Sequence, residues 1–239
     1  MAQKHGKQYV AALAKVDQER VYTPEEAIRL VKEISYTKFD ATVEVHFRLG
    51  IDPRHAEQNI RTTVALPHGT GKTVRVLVFA QGEAATAAQE AGADFVGSDE
   101  LIGRIDKENF FDFDIAIATP DMMGKVGRIG RKLGPRGLMP NPKSGTIVAG
   151  EELGRTIREV RGGRVEFRND KTGLLHVAVG KVSFSEQQIY DNIAALLDIV
   201  KAAKPSSTKG VFIRSVTFTS TMSPGVAVDV AAVQGMKAA

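Results

Sequence analysis

Two hydrophobic periods alternate along the chain. Over residues 41–49, Ala41, Val43, Val45, Phe47 and Leu49 interleave with Thr42, Glu44, His46 and Arg48. A period of two predicts a strand with one buried face and one wet face, and Gly50-Ile51-Asp52-Pro53 ends it. Upstream, Thr23-Pro24-Glu25-Glu26 predicts a helix start, with Thr as N-cap, Pro at the first helical position and acids in the first turn. Ala27, Ile28, Val31 and Ile34 then follow at helical spacing. A short packing helix fits Tyr9 to Leu13.

From Thr73 the texture changes. Apolar runs become continuous at Val76-Leu77-Val78-Phe79-Ala80, Ala93-Asp94-Phe95-Val96 and Ile115-Ala116-Ile117-Ala118. Helical segments over 83–91, 98–107, 121–133 and 151–160 surround them, and Thr146-Ile147-Val148 reads as a last short strand. Continuous apolar strands alternating with helices predict a parallel sheet covered on both faces. After Gly162 the period of two returns. Val165 and Phe167 oppose Glu166 and Arg168, and the pattern continues through Leu175–Val179 and Val182-Ser183-Phe184. Asn169 to Gly173 reads as a hairpin turn. Residues 185–203 form a helix with Ile189, Ile193, Leu196, Leu197 and Val200 on its apolar face. The last strand, 211–221, turns Val216 and Phe218 inward and Ser215, Thr217, Thr219 and Thr221 outward.

The two textures predict two domains, one α+β and one α/β. Residues 1–69 and 162–239 build a discontinuous α+β domain, and 70–161 form an inserted α/β domain. Gly69, Gly71, Gly162 and Gly163 mark the connections and are expected to act as a double hinge. Charge follows nearly the same division: residues 1–69 and 161–239 carry a net +5 and residues 70–160 carry −1, within a chain of 239 residues at +4 and pI about 9.2. A basic balance favours a polyanionic partner. The chain has no Cys, which excludes disulfides, thiolate metal sites and cysteine nucleophiles. The N-terminus shows no apolar signal region, and no apolar run approaches the roughly 20 residues that span a bilayer. The expected protein is soluble and cytoplasmic, with no membrane partner.

Motifs for catalysis are sparse. Gly71-Lys72-Thr73 resembles the end of a phosphate-binding loop, but Leu66 stands where its first Gly belongs and a strand follows instead of a helix. The five His lack metal-ligand spacing, and no GxSxG occurs. Gly127, Gly130 and Gly134 do not make a dinucleotide fingerprint. Asp112 and Asp114 read as a solvated strand start. No catalytic residue, metal or cofactor is expected. The alternative reading is a nucleotide-dependent enzyme built on the middle domain.

Two regions invite an anion. Between Asp121 and Glu151 lie six Lys or Arg and no acid, and Pro135, Pro140 and Pro142 stiffen the later part. The polar strand faces offer a different surface, a mixture of Thr, Ser, Glu, His and Arg beside Lys38 and Phe39. Hydroxyls there can meet 2′-OH groups and phosphates, cations can neutralise backbone charge, and Phe39 can stack.

Gly134-Pro135-Arg136-Gly137-Leu138-Met139-Pro140-Asn141-Pro142-Lys143-x-Gly145-Thr146 resembles the signature of the large-subunit ribosomal protein L-one family, the mobile-stalk protein beside the exit site. Lys38-Phe39-Asp40, Thr42-Val43-Glu44-Val45, Asp52-Pro53-Arg54, Leu66-Pro67-His68-Gly69, Glu166-Phe167-Arg168-Asn169-Asp170-Lys171 and Thr221-Met222 extend the resemblance over essentially the whole chain, closest to the bacterial form. It implies a non-catalytic protein that binds large-subunit ribosomal RNA, assists release of deacylated tRNA from the exit site and represses its own messenger RNA. It further implies a ribosome-associated protein, monomeric when free. The RNA contacts that carry over are Lys38, Phe39, Thr42, Glu44, Glu166, Arg168, Lys171, Ser215, Thr219, Thr221 and Met222. Ser223 stands where the family usually has Gly. The resemblance implies that the inserted α/β domain is Rossmann-like, and it puts the principal RNA surface on the discontinuous domain. Arg136 and Lys143 become either a secondary RNA or tRNA contact or a scaffold.

Overall fold

The computed structural model describes residues 5–237. Among them run nine strands: β1 Thr42–Leu49, β2 Arg61–Ala65, β3 Val76–Phe79, β4 Phe95–Gly97, β5 Ile115–Ala118, β6 Arg164–Arg168, β7 Leu174–Lys181, β8 Ile213–Ser220 and β9 Val226–Val228. The chain divides into two compact units. One joins the residues up to Gly71 with those from Val165 onward, and the other is Lys72–Arg164.

The first unit is built on an antiparallel sheet in the order β7-β1-β8-β9. Along β1, Val43, Val45, Phe47 and Leu49 are buried, while Thr42, Glu44, His46 and Arg48 are not. The buried face meets Ile28 and Val31 of the Pro24–Glu33 helix and Ile189, Ile193 and Leu197 of the Glu186–Ala202 helix. Both helices begin with a capping box, Thr23 with Glu26 and Ser185 with Gln188. Each box satisfies orphan backbone N–H groups at the N-terminus.

A second, two-stranded ribbon pairs β2 with β6. The sequence pattern does not announce β2. Ile60, Val64 and Leu66 are buried, but Thr62 occupies the alternate position between the first two and breaks the apolar series. The three-residue β9 is too short to show a period. Residues 182–184, expected as strand, instead form the turn that leads into the Ser185 cap, with Phe184 N–H donating to Lys181 O at 3.0 Å.

Lys72–Arg164 contains the parallel sheet β4-β3-β5. All four residues of β3 are buried. Leu77 and Phe79 face Ile105, Met122 and Leu133, whereas Val76 and Val78 face Ala88 and Ile157. Successive side chains therefore enter two separate cores, which is why the run is continuously apolar. Ile147 adds a single parallel bridge to Ala118. The helix expected over 121–133 is instead a succession of one-turn α and 3-10 segments. Gly124, Gly127 and Gly130 weaken a regular helix there. Met122, Val126, Ile129 and Leu133 nonetheless keep helical spacing toward the core.

At one connection, Asn192 is fully buried and fixes the loop before it. Its Nδ2 donates to Gly69 O at 2.9 Å and Val179 O at 2.7 Å, and its Oδ1 accepts from His68 N–H at 3.0 Å. Gly71 has φ +71, and a Cβ there would approach Lys181 Cγ to 2.8 Å. Gly69 and Gly71 thus belong to the first unit, whereas Gly162 and Gly163 close the Leu153–Arg161 helix in the second.

Candidate nucleic-acid interface

With helices on one side, the other face of the β7-β1-β8-β9 sheet carries polar side chains in register. Arg48 lies opposite Ser215. His46 lies between His176 and Thr217, and Ala227 follows Thr217 on β9. Glu44 lies between Ala178 and Thr219, and Thr42 lies opposite Lys181. Directly opposed side chains in an antiparallel pair stand roughly 5 Å apart, so the face offers a grid of hydroxyl, imidazole and charged groups. Thr42, Glu44, Ser215 and Thr219 share it.

One end of the grid gathers Lys38, Phe39, Thr221 and Met222. Tyr36 Oη donates to Met222 O at 2.7 Å, tying the segment before β1 to the turn after β8. In that turn Ser223 N–H donates to Ser220 O at 2.9 Å, and Met222 adopts φ +68. A left-handed conformation in a non-glycine residue costs on the order of 1–3 kcal/mol. Met222 is 66% exposed and Phe39 58% exposed, so two large apolar side chains face solvent at this end.

The hydroxyls of Thr42, Thr221 and Ser223 already have partners. Thr221 Oγ1 accepts from Thr42 N–H at 3.0 Å, while Thr221 N–H donates to Thr42 O at 3.0 Å. The side chain thus extends the β1–β8 ladder by one step. Ser223 Oγ accepts from Ser220 N–H at 2.9 Å and lies 3.3 Å from Thr219 Oγ1. Ser223 folds its hydroxyl back into the turn. Lys181 Nζ donates to Thr42 Oγ1 at 2.9 Å.

At the β7 edge, an open depression of about 760 Å³ is lined by Arg54, Arg168, Asp170, Lys171 and His176, among others. Asp170 organises the turn behind it, accepting from Leu174 N–H and Thr172 N–H at 2.8 Å each. The Leu174 N–H is the main cause that holds the Asp170 carboxyl below its ordinary value. Glu166 and Arg168 share one face of β6, both exposed. Glu166 is ion-paired with Arg61 on β2, so its partner comes from the strand that the sequence pattern hides. His176 lines this depression and also stands in the middle row of the grid, which joins the two. Neither His46 nor His176 was singled out by sequence; their cross-strand pairing needed the β1–β7 register.

The cationic stretch of the second unit is partly engaged with its own unit. Lys125 pairs with Asp99 at 2.7 Å, Lys132 bonds Asp106, and the Arg136 guanidinium lies 3.5 Å from the centre of the Phe111 ring. Arg128, Arg131 and Lys143 are exposed. Asn141 stiffens the loop, capping Lys143 N–H at 2.8 Å and accepting Thr146 N–H at 3.2 Å through its carbonyl. Arg136 and Lys143 lie in this second unit, apart in the chain from the grid.

Among the described residues no group of three or more His, Asp or Glu could hold a metal ion. Lys72, the phosphate-loop look-alike, bonds Asp114 at 2.6 Å, and this bond is the main cause that lowers the Asp114 pKa. Asp112 pairs with Arg75. No helix of the described residues is long and apolar enough to cross a membrane.

Comparison with known proteins identifies the chain's relatives. The ribosomal protein L1p/L10e family matches residues 31–224. A protein of Chloroflexus aggregans named large ribosomal subunit protein uL1 is 78% identical over 234 residues, covering 98% of this chain and 99% of its own length. The protein of the same name from Chloroflexus aurantiacus is 77% identical over 235 residues, with the same coverage. The one from Thermobifida fusca is 56% identical over 226 residues, covering 95% of each chain. From this full-length likeness, the chain belongs to the ribosomal protein L1p/L10e family, whose members are not enzymes.

Proposed function

We propose that this protein is a structural constituent of the large ribosomal subunit and binds large-subunit ribosomal RNA through the open face of its antiparallel sheet. The observation that carries the reading is that face: a sheet with helices on one side only, presenting hydroxyls and charges in register on the other. Its interior supplies Thr42, Glu44, Ser215 and Thr219. Lys38, Phe39, Thr221 and Met222 bound one end, and Glu166, Arg168 and Lys171 bound the other.

Such a surface suits folded RNA. Cations set the register on the phosphate backbone, hydroxyls and carboxylates meet 2′-OH groups and base edges, and exposed Phe39 and Met222 offer apolar contact to a base or ribose. Met222 is held in an unfavourable backbone conformation by the turn around it, as is common where a ligand is gripped. The finer roles belong to the same proposal: the protein assists release of deacylated tRNA from the exit site, and it represses translation of its own messenger RNA when that message presents a similar fold. Arg136 and Lys143 are assigned a secondary RNA or tRNA contact.

The test is binding of the intact chain to a fragment of the large-subunit ribosomal RNA stalk, with random duplex RNA as competitor. Arg168→Ala combined with Lys171→Ala should weaken stalk binding on the order of tenfold. Arg136→Ala combined with Lys143→Ala should weaken it less. Equal affinity for stalk and random duplex, or a larger loss from the second pair, would contradict the assignment.

A further inference from the structure

The middle row of the open face holds two imidazoles directly opposite one another. His46 on β1 pairs in register with His176 on β7. Their Nδ1 atoms are 2.8 Å apart and their ring centres 4.8 Å apart. At that separation one Nδ1 carries a proton and donates it, and the other accepts. The donor ring then has an unprotonated Nε2 on its outer side. The pair can gain one proton at that nitrogen without breaking the Nδ1 bridge. A second added proton would place two N–H groups against each other and break it.

A carboxylate stands near the outer nitrogen of each ring. Glu44 Oε2 lies 3.8 Å from His46 Nε2, and Asp170 Oδ2 lies 4.0 Å from His176 Nε2. The flanking β8 brings Thr217, which does not titrate at neutral pH. Arg54, Arg168 and Lys171 line the depression beside His176, and Arg48 stands two residues from His46. Burial, and then the neighbouring His176, push His46 below the ordinary imidazole value, while Glu44 pulls it back. With His46 as the donor, its Nε2 is therefore left unprotonated in the free protein at neutral pH.

We propose that His46 and His176 together form a phosphate contact of the RNA face, and that this contact takes up one proton as RNA docks. The proposal rests on the RNA reading given above. A phosphate over the row adds negative charge beside the unprotonated Nε2. A proton from solvent binds that nitrogen, and the new N–H donates to a phosphate oxygen. The Nδ1 bridge stays intact, so the step adds one proton and breaks no bond.

The experiment measures binding of the stalk RNA fragment to the intact protein at constant ionic strength from pH 6 to pH 8.5. Calorimetry at pH 7 in buffers of different ionisation enthalpy counts protons taken up. Affinity should fall as pH rises, by at most about tenfold per unit, since one proton is linked. Proton uptake should be above zero and no greater than one. His176→Gln, at an exposed position, and His46→Gln should each flatten the pH slope, abolish the uptake and flatten the plot of log K against log salt at pH 6 by less than about one unit. Thermal melts establish that each variant is folded, and His176→Gln decides the matter if His46→Gln is not. Binding with no pH slope and no proton uptake would overturn this inference alone, as would a slope that survives His176→Gln. Absence of stalk binding at every pH would overturn the RNA reading and this inference with it.

Discussion

The two sheets of this molecule obey different rules. In β1, neighbours alternate between the core and the open face, from buried Phe47 to exposed Arg48. In β3, neighbours alternate between two cores, Leu77 into one and Val78 into the other. A sheet covered on one side keeps half its side chains for a partner. A sheet covered on both sides keeps none, so any contact the second unit makes must come from its loops or from the outer faces of its helices. This difference directs attention to the first unit's open face, although the densest run of positive charge lies in the second.

The largest effects should follow that rule. Phe47→Ala removes a fully buried ring and should cost about 3–5 kcal/mol of stability, while Arg48→Ala, one residue on, should change it by less than about 0.5 kcal/mol. Urea unfolding measures both. In β3 the contrast should vanish: Leu77→Ala should cost about 2–5 kcal/mol and Val78→Ala about 1–3 kcal/mol. A harmless Val78→Ala would mean that the second face is not closed.

Next comes Thr221→Val. Its hydroxyl bonds Thr42 N–H, so the substitution leaves a part-buried donor unpaired. The expected loss is about 1–3 kcal/mol in stability, with weaker RNA binding beside it. A loss in binding with no loss in stability would mean the hydroxyl serves the RNA and not the ladder.

Smaller effects come from ionisation. Asp170 and Asp114 are both held below the ordinary carboxylate value, the first mainly through Leu174 N–H and the second mainly through Lys72. A depressed carboxylate contributes stability that is complete above the unfolded pKa, about 3.9, and is lost as pH falls through the lower folded value. Asp170→Asn should therefore reduce the loss of stability seen below about pH 4, and leave the alkaline side unchanged. An acid limb identical to that of the unaltered protein would contradict the assigned bond. Smallest is Lys38→Ala, which should flatten the plot of log K for RNA against log salt by less than about one unit. An unchanged slope would mean that Lys38 touches no phosphate.

Much of this was legible in the chain. The alternation at 41–49 and 211–221 located the open face, and the continuous runs located the closed sheet, because burial dictates period. Less legible was whatever depends on register. Thr221 reads as one more outward hydroxyl, yet it lies just past β8 and continues the ladder with its side chain. Glu166 reads as one more outward polar residue, and its partner Arg61 sits on β2, whose alternation Thr62 interrupts. His46 and His176 are 130 positions apart, and no local pattern joins them. The segment 121–133 keeps the apolar spacing of a helix while its glycines divide it into single turns.

The most direct test of the account is lysine acylation of the intact protein, with and without stalk RNA, read residue by residue by mass spectrometry. The account predicts that RNA protects Lys38, Lys171 and Lys181, at the two ends of the open face, more strongly than Lys125, Lys132 and Lys143. Protection concentrated on those three, with Lys38, Lys171 and Lys181 as reactive as in the free protein, would contradict it.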